Sequence, residues 1–230
     1  MGKNGIYWLA ACVCVQGCLC LVSLGCRESH RPSGEKKADR GERDGAAEPA
    51  AIRDATPAQR LIVEAARSQV GRTVTYDPAY VRLAYPGGDV PVEKGVCTDV
   101  AIRALRDSLK MDLQKLVHED MTAAFAQYPR TWGLSRPDPN IDHRRVPNLM
   151  RFFDRSGWSQ PVTANKEDYQ PGDLVTCTVG SGRPHIMVVS DRLTPAGVLL
   201  VIHNIGRGAR EEDSLFSFPI TGHFRVKARE

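Results

Sequence analysis

Three residues carry the chemistry this chain offers most readily: Cys97, His185 and His203. Cys97 follows Gly95-Val96 and opens a segment in which Ala101, Ile102, Leu105 and Leu109 recur at helical spacing, opposite Asp99, Arg103, Arg106, Asp107 and Lys110. A thiol at a helix start feels the positive end of the dipole and unpaired backbone N–H groups, and both favour thiolate. The same N–H groups can form one half of an oxyanion hole. His185 opens the run His185–Val189, and His203 closes the run Val198–His203. A hairpin of these runs brings both imidazoles to one end of a sheet, and the register pairing 185 with 203 sets them directly opposite. The strand period of two gives His203, and not Asn204, the face of His185, which is expected to be the face toward the cysteine helix. Thiol, imidazole base and orienting group together mean nucleophilic attack on a carbonyl. A free cysteine is also commonly a small buried residue, and each histidine alone is commonly structural. The ordered trio is what points to chemistry.

Positioning those residues requires helices first and strands later. Thr56-Pro57-Ala58-Gln59 has the form of a capped helix start, and that helix stops at Gly71. A second helix is expected from about Cys97 to Lys110, a third over Leu113–Tyr128, and a short one over Pro147–Ser156. Ser135–Pro147 reads as loop. Strands are expected over Asp173–Thr178, His185–Ser190, Val198–Asn204 and His223–Lys227, separated by turns at Gly180-Ser181-Gly182 and Pro195-Ala196-Gly197. Helices followed by an antiparallel sheet define an α+β fold.

The N-terminal part reads as an address and a spacer. After Lys3 no charged residue appears until Arg27, and the stretch between is largely apolar and ends Leu24-Gly25-Cys26. One positive charge, an apolar run and small residues form an export signal. Residues 1–26 are read as that signal, with Cys26 as a lipidation site. An uncleaved anchor and ordinary secretion are the alternatives. Each places the domain in the cell envelope or beyond, outside the cytoplasm. Residues 27–55 balance their acidic and basic residues and carry Ile52 as their single large apolar residue, so they read as a disordered tether. The folded domain is expected over 56–230. Five of the 7 cysteines fall in the first 26 residues, which excludes a disulfide-stapled scaffold. A net charge of +4 gives no basic face for nucleic acid.

A family resemblance runs through nearly all of residues 57–230. Its signatures are Tyr85-Pro86-Gly87-Gly88-Asp89-Val90-Pro91, Gly95-Val96-Cys97-Thr98-Asp99-Val100 and Leu116-Val117-His118-Glu119-Asp120-Met121. Pro139-Asn140-Ile141-Asp142-His143-Arg144-Arg145-Val146-Pro147-Asn148, Tyr169-Gln170-Pro171-Gly172-Asp173 and His203-Asn204-Ile205-Gly206 follow in order. These segments resemble the bacterial family catalogued as domain of unknown function 1287, which in turn resembles the NlpC-type papain-like enzymes. The resemblance implies a papain-like α+β fold and hydrolysis of an amide bond in cell-wall peptidoglycan peptides, with no cofactor. It implies Cys97 as nucleophile, His185 as base and His203 as the orienting third residue. Val96 departs from the pattern, standing where NlpC-type enzymes commonly have Asp.

Further candidates surround that core. Tyr85, Asp142, His143, Arg144 and Arg145 are the candidates for binding substrate, since arginine offers a fork for a peptide carboxylate. The alternative for Asp138–Asn148 is a structural loop tying the helical half to the sheet. Trp132 and Trp158 read as core, and Cys177 as strand packing. Two other function classes remain open at this level. One is a metal-dependent hydrolase using His118, Asp120, Asp142 and His143, although no H-E-x-x-H spacing is present. The other is a binding or scaffold domain without turnover.

Overall fold

The structure, a computed structural model, describes Ile52 and residues 54–227. The export segment with Cys26 and most of the tether lie outside the described residues. Helix α1 spans Pro57–Arg67, and its capping box forms as the sequence requires. The Thr56 hydroxyl accepts from the Gln59 N–H at 3.2 Å, and Gln59 Oε1 accepts from the Thr56 N–H at 2.7 Å. Strands β1 (Thr75–Tyr76) and β2 (Lys94–Gly95) pair in parallel and lead straight into α2, Cys97–Leu109. Lys110 ends α2 in the left-handed conformation, with φ 57°. Asp112 caps α3 (Leu113–Ala124), and Pro147 sits in the first turn of α4 (Val146–Arg155). Among the described residues no helix is long and apolar enough to cross a membrane.

The remaining strands are β3 (Ser159–Gln160), β4 (Leu174–Val179), β5 (Arg183–Leu193), β6 (Leu199–His203), β7 (Arg210–Glu212) and β8 (Ile220–Phe224). They form one antiparallel sheet in the order β3-β8-β4-β5-β6-β7. The α+β expectation therefore stands. Four strands went unforeseen: β1, β2 and β3 are two residues long each, and β7 is the charged triplet Arg-Glu-Glu on a sheet edge, so none has an apolar alternation to read.

Both faces of the sheet are covered, which is why β4 to β6 read as nearly unbroken apolar runs. Leu174, Ile186, Val188 and Ile202 pack with Ile62, Val100, Ala104 and Leu149 of the helices. Val175, Cys177, Met187, Val189 and Val201 pack on the other side with Tyr169 and Leu215. Ile52 joins this second core, so the folded unit begins before the tether's expected end.

The signature ending in Asp173 anchors the sheet. Gly172 has φ +80°, and a Cβ there would lie 2.9 Å from the Gln59 carbonyl oxygen, so only glycine fits. The Asp173 carboxylate, fully buried, accepts from His223 Nε2 at 2.7 Å, from Arg225 Nε and Nη2 at 2.8 and 2.7 Å, and from the Gln170 N–H at 2.9 Å. Removing that acceptor strands a buried imidazole and a guanidinium. Asp173→Ala should cost about 3 kcal/mol in urea denaturation at unchanged m-value. A loss below about 1 kcal/mol would contradict the anchoring role.

Candidate active site

Cys97 is held by its own helix and by two buried arginines. Val96 has no side-chain acceptor to cap α2, and Asp99 instead accepts from the Val96 N–H at 2.6 Å. The Asp99 carboxylate is gripped by Arg144, with Nε and Nη2 each at 2.9 Å. Arg103 takes the Asp89 carboxylate, the Thr73 hydroxyl and the carbonyls of Val90 and Lys94. Arg103, Asp99 and Arg144 are all buried, so the first half of the polar stripe of α2 is an internal ion-pair network, while Asp107 and Lys110 at its end face solvent.

On the sheet, the β5–β6 register differs from the expected one. Val188 pairs with Ile202 and Val189 with Val201, and a shift before Leu193↔Leu199 absorbs the turn at Thr194–Val198. That register puts His203 beside Met187, so the two histidines are diagonal neighbours on one face instead of directly opposite. They still meet: His185 Nε2 lies 2.8 Å from His203 Nδ1, with the rings edge-on. His203 Nε2 lies 2.9 Å from Glu212 Oε1. The proton order follows from the far end. The Glu212 carboxylate can only accept, so His203 Nε2 carries hydrogen and its Nδ1 is an acceptor for the N–H of His185 Nε2. His185 Nδ1 is left as a lone pair, which is the form a general base needs.

The face expected to meet the cysteine helix needs correction. Alternation sets His185 and His203 with Cys177, Met187 and Val201, whereas α2 packs on Ile186, Val188 and Ile202. Asn204 is the residue that reaches the cysteine side, donating to the Gly95 carbonyl at 3.0 Å. The backbone N–H groups of Ile186, Thr98 and Cys97 face the thiol and favour its ionised form. Among the described residues no hydrogen bond joins it to either imidazole. The peptide it meets is the one directly after His185.

These distances describe a buried thiol beside a cleft of about 390 Å³, lined by Cys97, Tyr76, Trp132, Arg145, Val146 and Pro184 among others. The sequence matches the domain of unknown function DUF1287 over residues 63–226. The chain belongs to the DUF1287 family. It is 59% identical over 164 residues to the uncharacterized protein YijF of Escherichia coli (strain K12), covering 71% of this chain and 80% of that one. A solved N-acetylmuramoyl-L-alanine amidase from Bacteroides uniformis ATCC 8492 aligns at a TM-score of 0.47 and 12% identity, over 75% of this chain and 100% of that one.

In this DUF1287 protein the candidate substrate residues part company. Tyr85 packs edge-on against His118, with ring centroids 5.1 Å apart, and does not line the cleft. Asp142 and His143 are buried. Asp142 holds Arg145 Nη1 at 3.1 Å and the Asp138 N–H, and burial with Arg144 nearby pushes the His143 imidazole down to about 4. Arg144 is committed to Asp99 and to the carbonyls of Asp77 and Ala79. Arg145 does line the cleft, with its guanidinium 4.2 Å above the Trp132 ring. Trp132 is half-exposed there and is not core; Trp158 is buried. His118 and Asp120 have separate partners, Tyr85 for one and Arg155 with Tyr128 for the other, so the metal candidates do not converge. Two site residues escaped the sequence reading. Glu212 sits on the charged edge strand just described. Tyr76 reaches the cleft only because β1 pairs with β2 beside Gly95, and neither has a motif of its own.

The electrostatics differ from the thiolate expectation. Burial pushes the Cys97 thiol up to about 12, and Asp99 adds to the rise, against the lowering effect of the three N–H groups. Desolvation outweighs the helix dipole. Burial, then neighbouring His203, push the His185 imidazole down to about 3. At pH 7 both groups are neutral. Alkylation of Cys97 by iodoacetamide should therefore keep rising with pH to at least about pH 10, past the free-cysteine value of about 8.5. A plateau near pH 7 would show a pre-formed thiolate–imidazolium pair.

Proposed function

We propose that this DUF1287 protein is an exported cysteine hydrolase that cleaves an amide bond, with peptidoglycan peptides as the substrate suggested by the NlpC-type resemblance. The observation that carries the reading is the Glu212–His203–His185 chain, which leaves an unprotonated Nδ1 at the end of the sheet where the helix-start thiol sits. Both reacting groups start neutral, so proton transfer accompanies attack. The Cys97 Sγ–H proton passes to His185 Nδ1 as sulfur bonds the carbonyl carbon. The oxyanion that forms is offered the first-turn N–H groups of α2. Collapse expels the amine, which takes the proton from His185 and leaves a thioester. Water, deprotonated by the same nitrogen, releases the acid and restores the thiol. In this reading the backbone at Cys97 stays fixed and a side-chain rotation on substrate binding brings the thiol to His185, since catalytic hydrogen bonds are often long before the complex forms.

A second reading has its own support. The thiol is buried, high in pKa and not bonded to an imidazole, as suits a binding domain that keeps the fold without turnover. Mass spectrometry of muropeptides incubated with the protein separates the two. Under the hydrolase reading, wild type yields cleaved products and Cys97→Ala yields none. His203→Ala should cut kcat by at least about tenfold at similar KM, because an orienting group acts on turnover. Glu212 is partly exposed, so water can replace its oxygen, and Glu212→Ala should cost only a few-fold. Intact muropeptides with wild type, while peptides still bind, would favour the binding domain.

We place the protein on the outer side of the cytoplasmic membrane, held by lipid at Cys26 or by an N-terminal anchor. Metabolic labelling with a palmitate analogue should mark wild type and not Cys26→Ala. Equal marking of both would remove the lipoprotein assignment and leave an uncleaved anchor or ordinary secretion.

A further inference from the structure

We propose that the Cys97 cleft selects substrates bearing a carboxylate next to the bond cut, and that Arg145 is the residue that reads it. The inference rests on the reading that the cleft is where substrate binds, and extends it to substrate class.

The cleft wall is mostly apolar, and its two arginines differ in what they have left to offer. Arg144 is fully used: its Nε and Nη2 grip Asp99, and Nη1 and Nη2 also meet the carbonyls of Ala79 and Asp77. Its side chain is 2% exposed. It is part of the scaffold. Arg145 spends only Nη1, on Asp142 Oδ1 at 3.1 Å, and among the described residues its Nε and Nη2 have no partner. Its side chain keeps 17% of its surface in the open. A guanidinium with Nε and one terminal nitrogen free presents the two parallel N–H bonds that match a carboxylate.

The side chain is also held ready. The Trp132 ring lies 4.2 Å beneath the guanidinium carbon, and Asp142 fixes one terminal nitrogen, so little rotamer freedom remains to be lost on binding. Asp99 and Asp142 are answered by Arg144 and Arg145, while Arg183, adjacent to cleft-lining Pro184, has no ion-pair partner among the described residues. Asp77, also nearby, is paired with Lys94. Asp138, whose carboxylate also feels Arg145, balances the third guanidinium, so the preference for an acid rests on the free Nε and Nη2 edge of Arg145 and not on net charge. A neutral carboxamide of the same shape would leave Arg145 with the weaker acceptor.

The test uses the full chain carrying Cys97→Ala, so that binding is read without turnover. Two peptide pairs are titrated by calorimetry: acetyl-Ala-Ala with a free or an amidated C-terminus, and amidated acetyl-Ala-Glu against acetyl-Ala-Gln. At least one acid should bind about tenfold tighter than its amide, equivalent to about 1.4 kcal/mol. The position of the preferred carboxylate, terminal or side-chain, identifies its source. Adding Arg145→Gln should reduce the preference to twofold or less, and Arg145→Lys should keep part of it. Thermal melts of the variants check that the fold persists. No acid preference in either pair, no measurable binding of any peptide, or a preference that survives Arg145→Gln would each overturn the proposal. Absence of hydrolysis by wild type with the acid preference intact would remove only the hydrolase reading.

Discussion

The site depends on one constraint: two guanidiniums buried around the start of the cysteine helix. Arg144 enters from the loop before α4 and Arg103 from within α2, and each neutralises a carboxylate, Asp99 and Asp89. A buried charge without its partner costs several kcal/mol, so the segments carrying these four residues have little freedom to move apart. Arg103 also ties down the carbonyls of Val90, Pro91 and Lys94, which makes the approach to Gly95-Val96-Cys97 rigid. A Cβ on Gly95 would come within 3.1 to 3.3 Å of Asp99 and Arg103, so the network closes over the backbone itself. Asn204 adds the tie to the sheet through the Gly95 carbonyl. The cysteine's position is thus fixed by electrostatics at the helix start and not by packing alone.

That rigidity has an electrostatic consequence. The scaffold buries the thiol and sets Asp99 two residues from it, and both effects oppose ionisation. The histidine pair is buried as well and resists protonation. A site assembled this way stores no charge separation in the resting state. The Glu212–His203–His185 chain instead fixes which nitrogen carries hydrogen, so the free lone pair is available without the ring first having to change tautomer. Each link spans neighbouring strands of the sheet, so the order of strands β5, β6 and β7 is itself the device that aligns the three groups.

The sequence by itself determined the elements whose signals are local. The capping box at Thr56, the helix from Cys97 and the strands around His185 and His203 follow from caps, turns and apolar runs, each set within a few residues. Parity within a strand likewise put His185 and His203 on one face. Tertiary structure decided what depends on the partner across space. Whether the charged stripe of α2 meets water or Arg144 is invisible in a helical period, because a buried ion pair and a solvated face have the same spacing. Which sheet face receives α2 is likewise undetermined when both faces are covered and the apolar runs are continuous, and so Asn204, not His203, meets the cysteine side. Glu212 lies on a charged edge strand that becomes a strand only by pairing with β6. The ionisation of Cys97 was the furthest from the sequence's reach. A helix start promises stabilisation of the thiolate, but the depth of burial sets the desolvation penalty, and only the assembled chain has a depth.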